Sequence, residues 1–438
     1  MKKRLLSVLL VAALSASMLV GCGGSSSEGE GEAAEGTGSV YYLNFKPEAD
    51  QAWQDLAATY TEQTGVEVKV VTAASGEYEN TLSTEMGKDA APTIFNVGNQ
   101  SALETWKDYT LDLTDTDLYK EVVNDDYNIK GEDGKVYSIG YCYESFGIIV
   151  NKALLKEAGY EVSDITNFES LKAVAEDITA RKDELGFSAF SSAGLDGSSS
   201  WRFTGHLANM PLFYEFRDDN VTAQPAEVTG AYLDNFKNIW DLYINNATCD
   251  AKALATKTGD ESEAEFGKGE AVFFQNGSWE YSNLCLDESK GFLLPAEDLT
   301  MIPLYCGVEG EEEAGLCNGT ENCWAVNSQA SEADIQATLD FLAWVVTSDE
   351  GTTMLAEQFG GVPFKAAKEA PNPFCEAANQ YLADGKYTVT WAFNYTPNVD
   401  AWRLGMESSL LQYSANGGSW DDVVTAYVNG WATQYAAQ

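Results

Sequence analysis

From Val40 onward, short apolar runs alternate with stretches in which apolar residues recur every three or four positions. Val40–Phe45 (VYYLNF) predicts a buried first strand. Pro47-Glu48 suits the opening of a helix that carries Trp53, Leu56, Ala57 and Tyr60 on one face and stops at Gly65. Val66–Val71 (VEVKVV) alternates and is rich in β-branched residues, which predicts a second strand. A further helical stretch leads to Ala91-Pro92, and Thr93–Val97 reads as a third strand. Strand, helix, strand, helix, strand predicts a parallel sheet. Lys135–Ile139 and Phe146–Val150 are strand-like, and Asn151 opens a helix that ends by Gly159. Helical periodicity returns over Phe168–Ile178 and Ala231–Tyr243. In GKGEAVFFQNGSWEY, residues 267–281, the apolar run Ala271–Phe274 gives way at Asn276-Gly277 to a lone indole, Trp279. Ser331 with Asp334, and Ser419 with Asp422, have the spacing of helix caps, each followed by an apolar stripe.

The first residues follow another pattern. Lys2, Lys3 and Arg4 precede the apolar run Leu5–Val20, which ends in Leu19-Val20-Gly21-Cys22. This ending resembles a bacterial lipobox, in which the Cys sulfur is acylated and becomes the first residue. That predicts a lipoprotein signal peptide over 1–22, with Cys22 the lipid anchor. Residues 23–39, GGSSSEGEGEAAEGTGS, lack any large apolar residue and predict a flexible acidic linker. What remains, about 400 residues, exceeds one comfortable core, so two lobes are expected.

Charge narrows the partners. There are 68 acidic and 26 basic residues, a net of −42, which argues against nucleic acid. A single histidine, His206, leaves no room for multi-histidine metal sites or most histidine-based triads, and no cofactor is expected. Seven cysteines follow Cys22: Cys142, Cys249, Cys285, Cys306, Cys317, Cys323 and Cys375. An odd count leaves at least one thiol free, and the short loop between Cys317 and Cys323 invites a bond.

Four segments, in order, resemble the extracellular solute-binding proteins of bacterial ATP-driven importers, in the sugar-binding group. They are TEQTGVEVKVV (61–71), GKVYSIGYCYESFGIIVNKALLKEAGY (134–160), FGKGEAVFFQNGSW (266–279), and SEADIQATLDFLAWVVTSDEG (331–351) followed by FGGVPF. The resemblance implies an α/β, periplasmic-binding-protein-like type II fold: two lobes joined by a multi-strand hinge, with the ligand in the cleft. Lobe one is expected over 40–145 with 317–360, and lobe two over 146–305 with 361–438. The hinge is expected near 142–147, 304–316 and 359–363. Cys142 and Cys306, in two adjacent crossovers on this reading, are candidates to pair. The implied function is a monomeric, membrane-anchored protein, not an enzyme, that captures a di- or oligosaccharide and passes it to an ABC permease.

A pyranose needs a flat aromatic surface for its C–H faces and charged or bidentate groups for its edge. The resemblance puts Trp279 in a stacking position and Glu144 in that of a hinge-side carboxylate. Lys46 and Glu48, after the first strand, and Asn99, after the third, lie where strand ends meet a cleft. Trp201 and Arg202 follow the loop SSAGLDGSSS, and Trp391, Asn394, Tyr395 and Trp402 resemble late cleft residues. Two alternatives stay open: the same fold holding a cation such as a polyamine by charge and cation–π contact, or a secreted glycosidase with a pair of acids.

Overall fold

The computed structural model describes residues 38–123 and 125–438. The expected signal peptide, 1–22 with Cys22, and residues 23–37 of the expected linker lie outside them. Two six-stranded sheets organise the chain. The strands are β1 (Val40–Asn44), β2 (Val68–Thr72), β3 (Ile94–Asn96), β4 (Ile129–Lys130), β5 (Val136–Gly140), β6 (Glu144–Asn151), β7 (Ser188–Phe190), β8 (Ala271–Gly277), β9 (Leu299–Ile302), β10 (Ala314–Gly319), β11 (Cys323–Val326) and β12 (Tyr387–Thr390). The first sheet has the order β2-β1-β3-β11-β5-β4; the second runs β12-β10-β6-β8-β7, with β9 also on β6.

The parallel prediction holds for β1 with β2 and with β3. It fails where β11, a late strand, inserts antiparallel between β3 and β5. Local periodicity carries no information about a strand returning from about two hundred residues away. The second sheet is also mixed: β6 is antiparallel to β8 and β10, while β7 is parallel to β8. β8 runs on through Gln275 and Asn276 to Gly277, past the apolar stretch that marked it in sequence.

Each sheet has its own core. Helix Asp50–Thr64 buries Trp53, Leu56, Ala57 and Tyr60 against the first sheet and stops at Gly65, where φ of 78° suits a residue without Cβ. Helix Glu332–Thr347, capped by Ser331 accepting from the Asp334 N–H, covers the same core. The second core packs Phe146, Phe203, Trp240, Phe273, Trp402 and Tyr427, the last two from helices Val399–Ser414 and Trp420–Ala436. Ser419 and Asp422 close a reciprocal capping box at the start of the latter.

The chain passes between sheets at residues 141–143, at 320–322, and between Phe364 and Pro373. Residues 304–316 instead lie within the second sheet's side, ending in β10. All seven cysteines beyond Cys22 are free, which corrects both expected pairings. Cys317 sits in β10 and Cys323 in β11, strands of different sheets. Cys306 is packed in the second core, away from the passage that holds Cys142. Among the described residues no helix is long and apolar enough to cross a membrane.

Candidate functional site

Residues at the passages and at the ends of β1 and β8 form one cluster. After β1, the Asn44 side chain accepts from the Lys46 N–H at 3.0 Å and donates to the Lys46 carbonyl at 2.7 Å. This clamp aims the Lys46 side chain inward. Its Nζ lies 2.9 Å from both Glu48 and Glu144. Glu144, the first residue of β6 and 3% exposed, also accepts from Asn322 Nδ2 at 2.6 Å. Two passages are therefore tied by one carboxylate. Burial by itself pulls the Lys46 ammonium toward neutrality, but Glu144 and then Glu48 outweigh it and hold the group charged.

Lys46 Nζ stands 4.8 Å from the Trp279 ring centroid, a cation–π contact. Trp279 lies two residues beyond the end of β8, folded back onto Gly277. A Cβ there would fall 2.2 Å from the indole, so the ring's seat depends on the missing methyl. Gly319, at the end of β10, seats Trp391 in the same way, at 2.5 Å. Around Trp279 stand Trp201 at 5.7 Å, His206 at 5.6 Å and Phe146 at 6.0 Å. His206 stacks on Phe146 at 4.4 Å and meets Trp391 edge-on at 4.7 Å. Burial depresses its pKa well below the ordinary imidazole value, so it is a neutral ring. The sequence offered no sign of its place here, because a lone histidine has no spacing to read.

Arg202 opens a π-helical turn, Arg202–Leu207, a geometry often found at functional sites. Its guanidinium is 1% exposed and reaches only three neutral oxygens, on Ser199, Gly194 and Ser262, each at 3.4 Å. Its Nη1 has no partner. Glu280, next to Trp279, accepts from Asn276 at 2.6 Å and from Asn283 at 3.3 Å. Burial, then the nearby Glu263 charge, pushes its pKa up to about 8. Sequence reasoning missed Glu280, one acid among 68.

The remaining candidates divide. Asn394 donates to the Thr320 carbonyl in the second passage at 3.1 Å, leaving its own carbonyl oxygen without a partner. Asn99 caps helix Gln100–Trp106, accepting from the Ala102 N–H at 2.8 Å. Tyr395 is partly exposed and leans on Phe216, outside the cluster. Trp402 belongs to the second core, where its indole donates to the Tyr427 carbonyl at 2.9 Å. Across the cleft mouth, Ser75 Oγ donates to the Ser198 carbonyl at 3.1 Å. Grooves of about 540 and 400 Å³ involve other residues, the first between Asn429 and Ala437 and the second beside Arg217, Tyr232 and Glu309.

A family model described as bacterial extracellular solute-binding protein matches residues 55–383. No curated protein matches the chain. Among solved structures, RafE in complex with raffinose superposes with a TM-score of 0.71 at 17% identity, covering 91% of this chain and 99% of its own. A sugar transporter protein from Bacillus licheniformis in complex with stachyose gives 0.68 at 17% identity, with 90% and 99% covered. A binding protein of an ABC transporter from Bifidobacterium animalis subsp. lactis, in complex with mannobiose, gives 0.64 at 15% identity, with 91% and 95% covered. At these identities the likeness establishes a shared two-lobe fold.

Proposed function

We propose, from the premise that the chain belongs to the bacterial extracellular solute-binding proteins, that it captures a di- or oligosaccharide and hands it to an ABC permease. The observation that carries this reading is Trp279, seated on Gly277 and ringed by Trp201, Phe146 and His206, with Lys46, Glu144 and Asn322 at its edge. Flat rings suit the C–H faces of a pyranose, and charged donors and acceptors suit its hydroxyls. The raffinose, stachyose and mannobiose of the similar structures support the same class of ligand.

On this reading the lobes pivot about the three passages. A ligand touching both lobes favours the closed arrangement by its differential contacts, and the permease recognises that arrangement. The lobes would be 40–145 with 317–360 and 146–305 with 361–438, adjusted for β10, whose pairing lies with β6. The protein acts as a monomeric binder rather than a catalyst, tethered through a lipid on Cys22 and the acidic linker.

Two carboxylates, Glu48 and Glu144, stand near the rings with the buried acid Glu280, which favours a cationic ligand as the competing reading. A thermal-shift panel separates the two, because a ligand that binds the folded state raises apparent stability. A saccharide should raise the melting temperature and spermidine should not; the reverse outcome overturns the carbohydrate assignment. Hydrolysis of a labelled oligosaccharide during incubation would overturn the binder assignment.

A further inference from the structure

Two dipeptides converge in the cleft. Trp201-Arg202 and Trp279-Glu280 each pair an indole with an ionisable side chain, and each follows a serine. Their rings lie 5.7 Å apart. Their side chains also reach one neighbourhood: Arg202 donates to Ser262, and the next residue, Glu263, shares the Asn283 amide with Glu280. Yet the two form no ion pair, and neither has one with any other described residue. The guanidinium rests beside the Phe203 and Phe274 rings, at 5.0 and 5.7 Å, donates only three long hydrogen bonds and leaves Nη1 unused, and an ionised group so placed is open to a further acceptor.

The chemistry around the gap selects the occupant. An anion would answer Arg202 but would meet the Asp196, Glu265 and Glu263 carboxylates, whose charges reach the same guanidinium, and the Glu280 carboxyl. A cation would suit those carboxylates but meet Arg202. A hydroxyl fits both, because it accepts from Nη1 while donating to a carboxylate oxygen.

We propose that Arg202 and Glu280 form a hydroxyl-reading subsite beside the Trp201 and Trp279 rings, gripping an edge hydroxyl of the sugar ring stacked there. This rests on the carbohydrate reading and adds to it: the rings hold the sugar's face, whereas this pair decides which hydroxyl pattern is admitted. A site built to bond a hydroxyl penalises an analogue lacking it, because both buried partners are then stranded.

The test is calorimetric titration of the full-chain protein. An array of saccharides identifies one that binds the wild type. That sugar and its set of monodeoxy analogues are then titrated into wild type, Glu280→Gln and Arg202→Lys. Each substitution should weaken the parent sugar by at least about tenfold. One deoxy position should cost the wild type about tenfold and Glu280→Gln less than about twofold, the coupling expected when group and hydroxyl touch. Glu280→Gln keeps size and shape, so it decides the matter should Arg202→Lys fail to fold. Unchanged affinity in Glu280→Gln overturns the subsite alone. So does equal sensitivity of wild type and variant to every deoxy position, which marks a role in structure only. If no saccharide in the array binds the wild type, the carbohydrate reading falls and the subsite with it.

Discussion

Two groups of tryptophans in the same lobe are finished to different degrees. In the C-terminal helices, Trp402, Tyr427 and Trp431 meet edge-to-face, with centroids 4.9 and 6.0 Å apart. Each polar tip there has a backbone acceptor: Trp402 donates to the Tyr427 carbonyl, Trp431 to that of Pro225 and Tyr427 to that of Ala208. Around Trp279 the rings are somewhat less buried, Trp201 only partly so, and Trp391 Nε1 lacks a partner, Asn394 and Arg202 keep unpartnered atoms, and a lysine ammonium rests over an indole. An unpartnered indole tip alone does not mark a cleft, because Trp53 and Trp420 keep one within the cores; what sets the Trp279 group apart is that an unpaired tip, an amide and a guanidinium gather in one place.

The strongest way to break that comparison is to remove one indole from each group. Trp402→Ala should cost about 3–5 kcal/mol of stability in urea unfolding, while the folded fraction keeps its sugar affinity in titration. A large affinity loss with little destabilisation would place Trp402 in the cleft after all.

Glu280 offers the next largest effect. Its pKa is raised to about 8, so the folded state holds a proton that the unfolded chain has released. Stability therefore falls as pH climbs from the ordinary carboxylate range through 8. Glu280→Gln abolishes that term, and its unfolding free energy should gain on the wild type by up to about 4 kcal/mol between pH 5 and pH 8. A constant difference across that range would show Glu280 to be an ordinary ionised acid.

Trp279→Ala should weaken the bound sugar by about 2 kcal/mol, or roughly thirtyfold, in the same titration. Its loss of stability should be smaller than that of Trp402→Ala. At the low end, Tyr395→Ala should change stability by no more than about 0.5 kcal/mol and leave affinity alone; a clear affinity loss would extend the site to the 395 turn.

The strands and helices carrying their own periodicity were legible: β1 and helix Asp50–Thr64 lie where Val40–Phe45 and the Trp53–Tyr60 stripe put them, and Ser331 and Ser419 begin helices. The late strands were harder. β10 and β11 sit in a Cys- and Glu-rich stretch, and a three-residue gap, 320–322, takes the chain from one sheet to the other. Trp279 stood out in the sequence as a lone indole beyond a Gly-Ser break, and Gly277 is the residue its ring packs on. Trp391 and Trp402 were read alike, although one packs on Gly319 beside His206 and the other lies among the C-terminal helices. What separates them is whether a carbonyl from another helix meets the indole N–H, a fact of tertiary packing. His206 and Glu280 gain their setting only from residues distant in sequence.

The free thiols bear on how the two lobes are coupled. Among the described residues no covalent strap spans the three passages, and the ties across them are hydrogen bonds and the Lys46–Glu144 contact. Reductant finds no bond to cut there, and what resists bending is non-covalent: hydrogen bonds, one buried ion pair and stacked rings such as Tyr141 on Trp324.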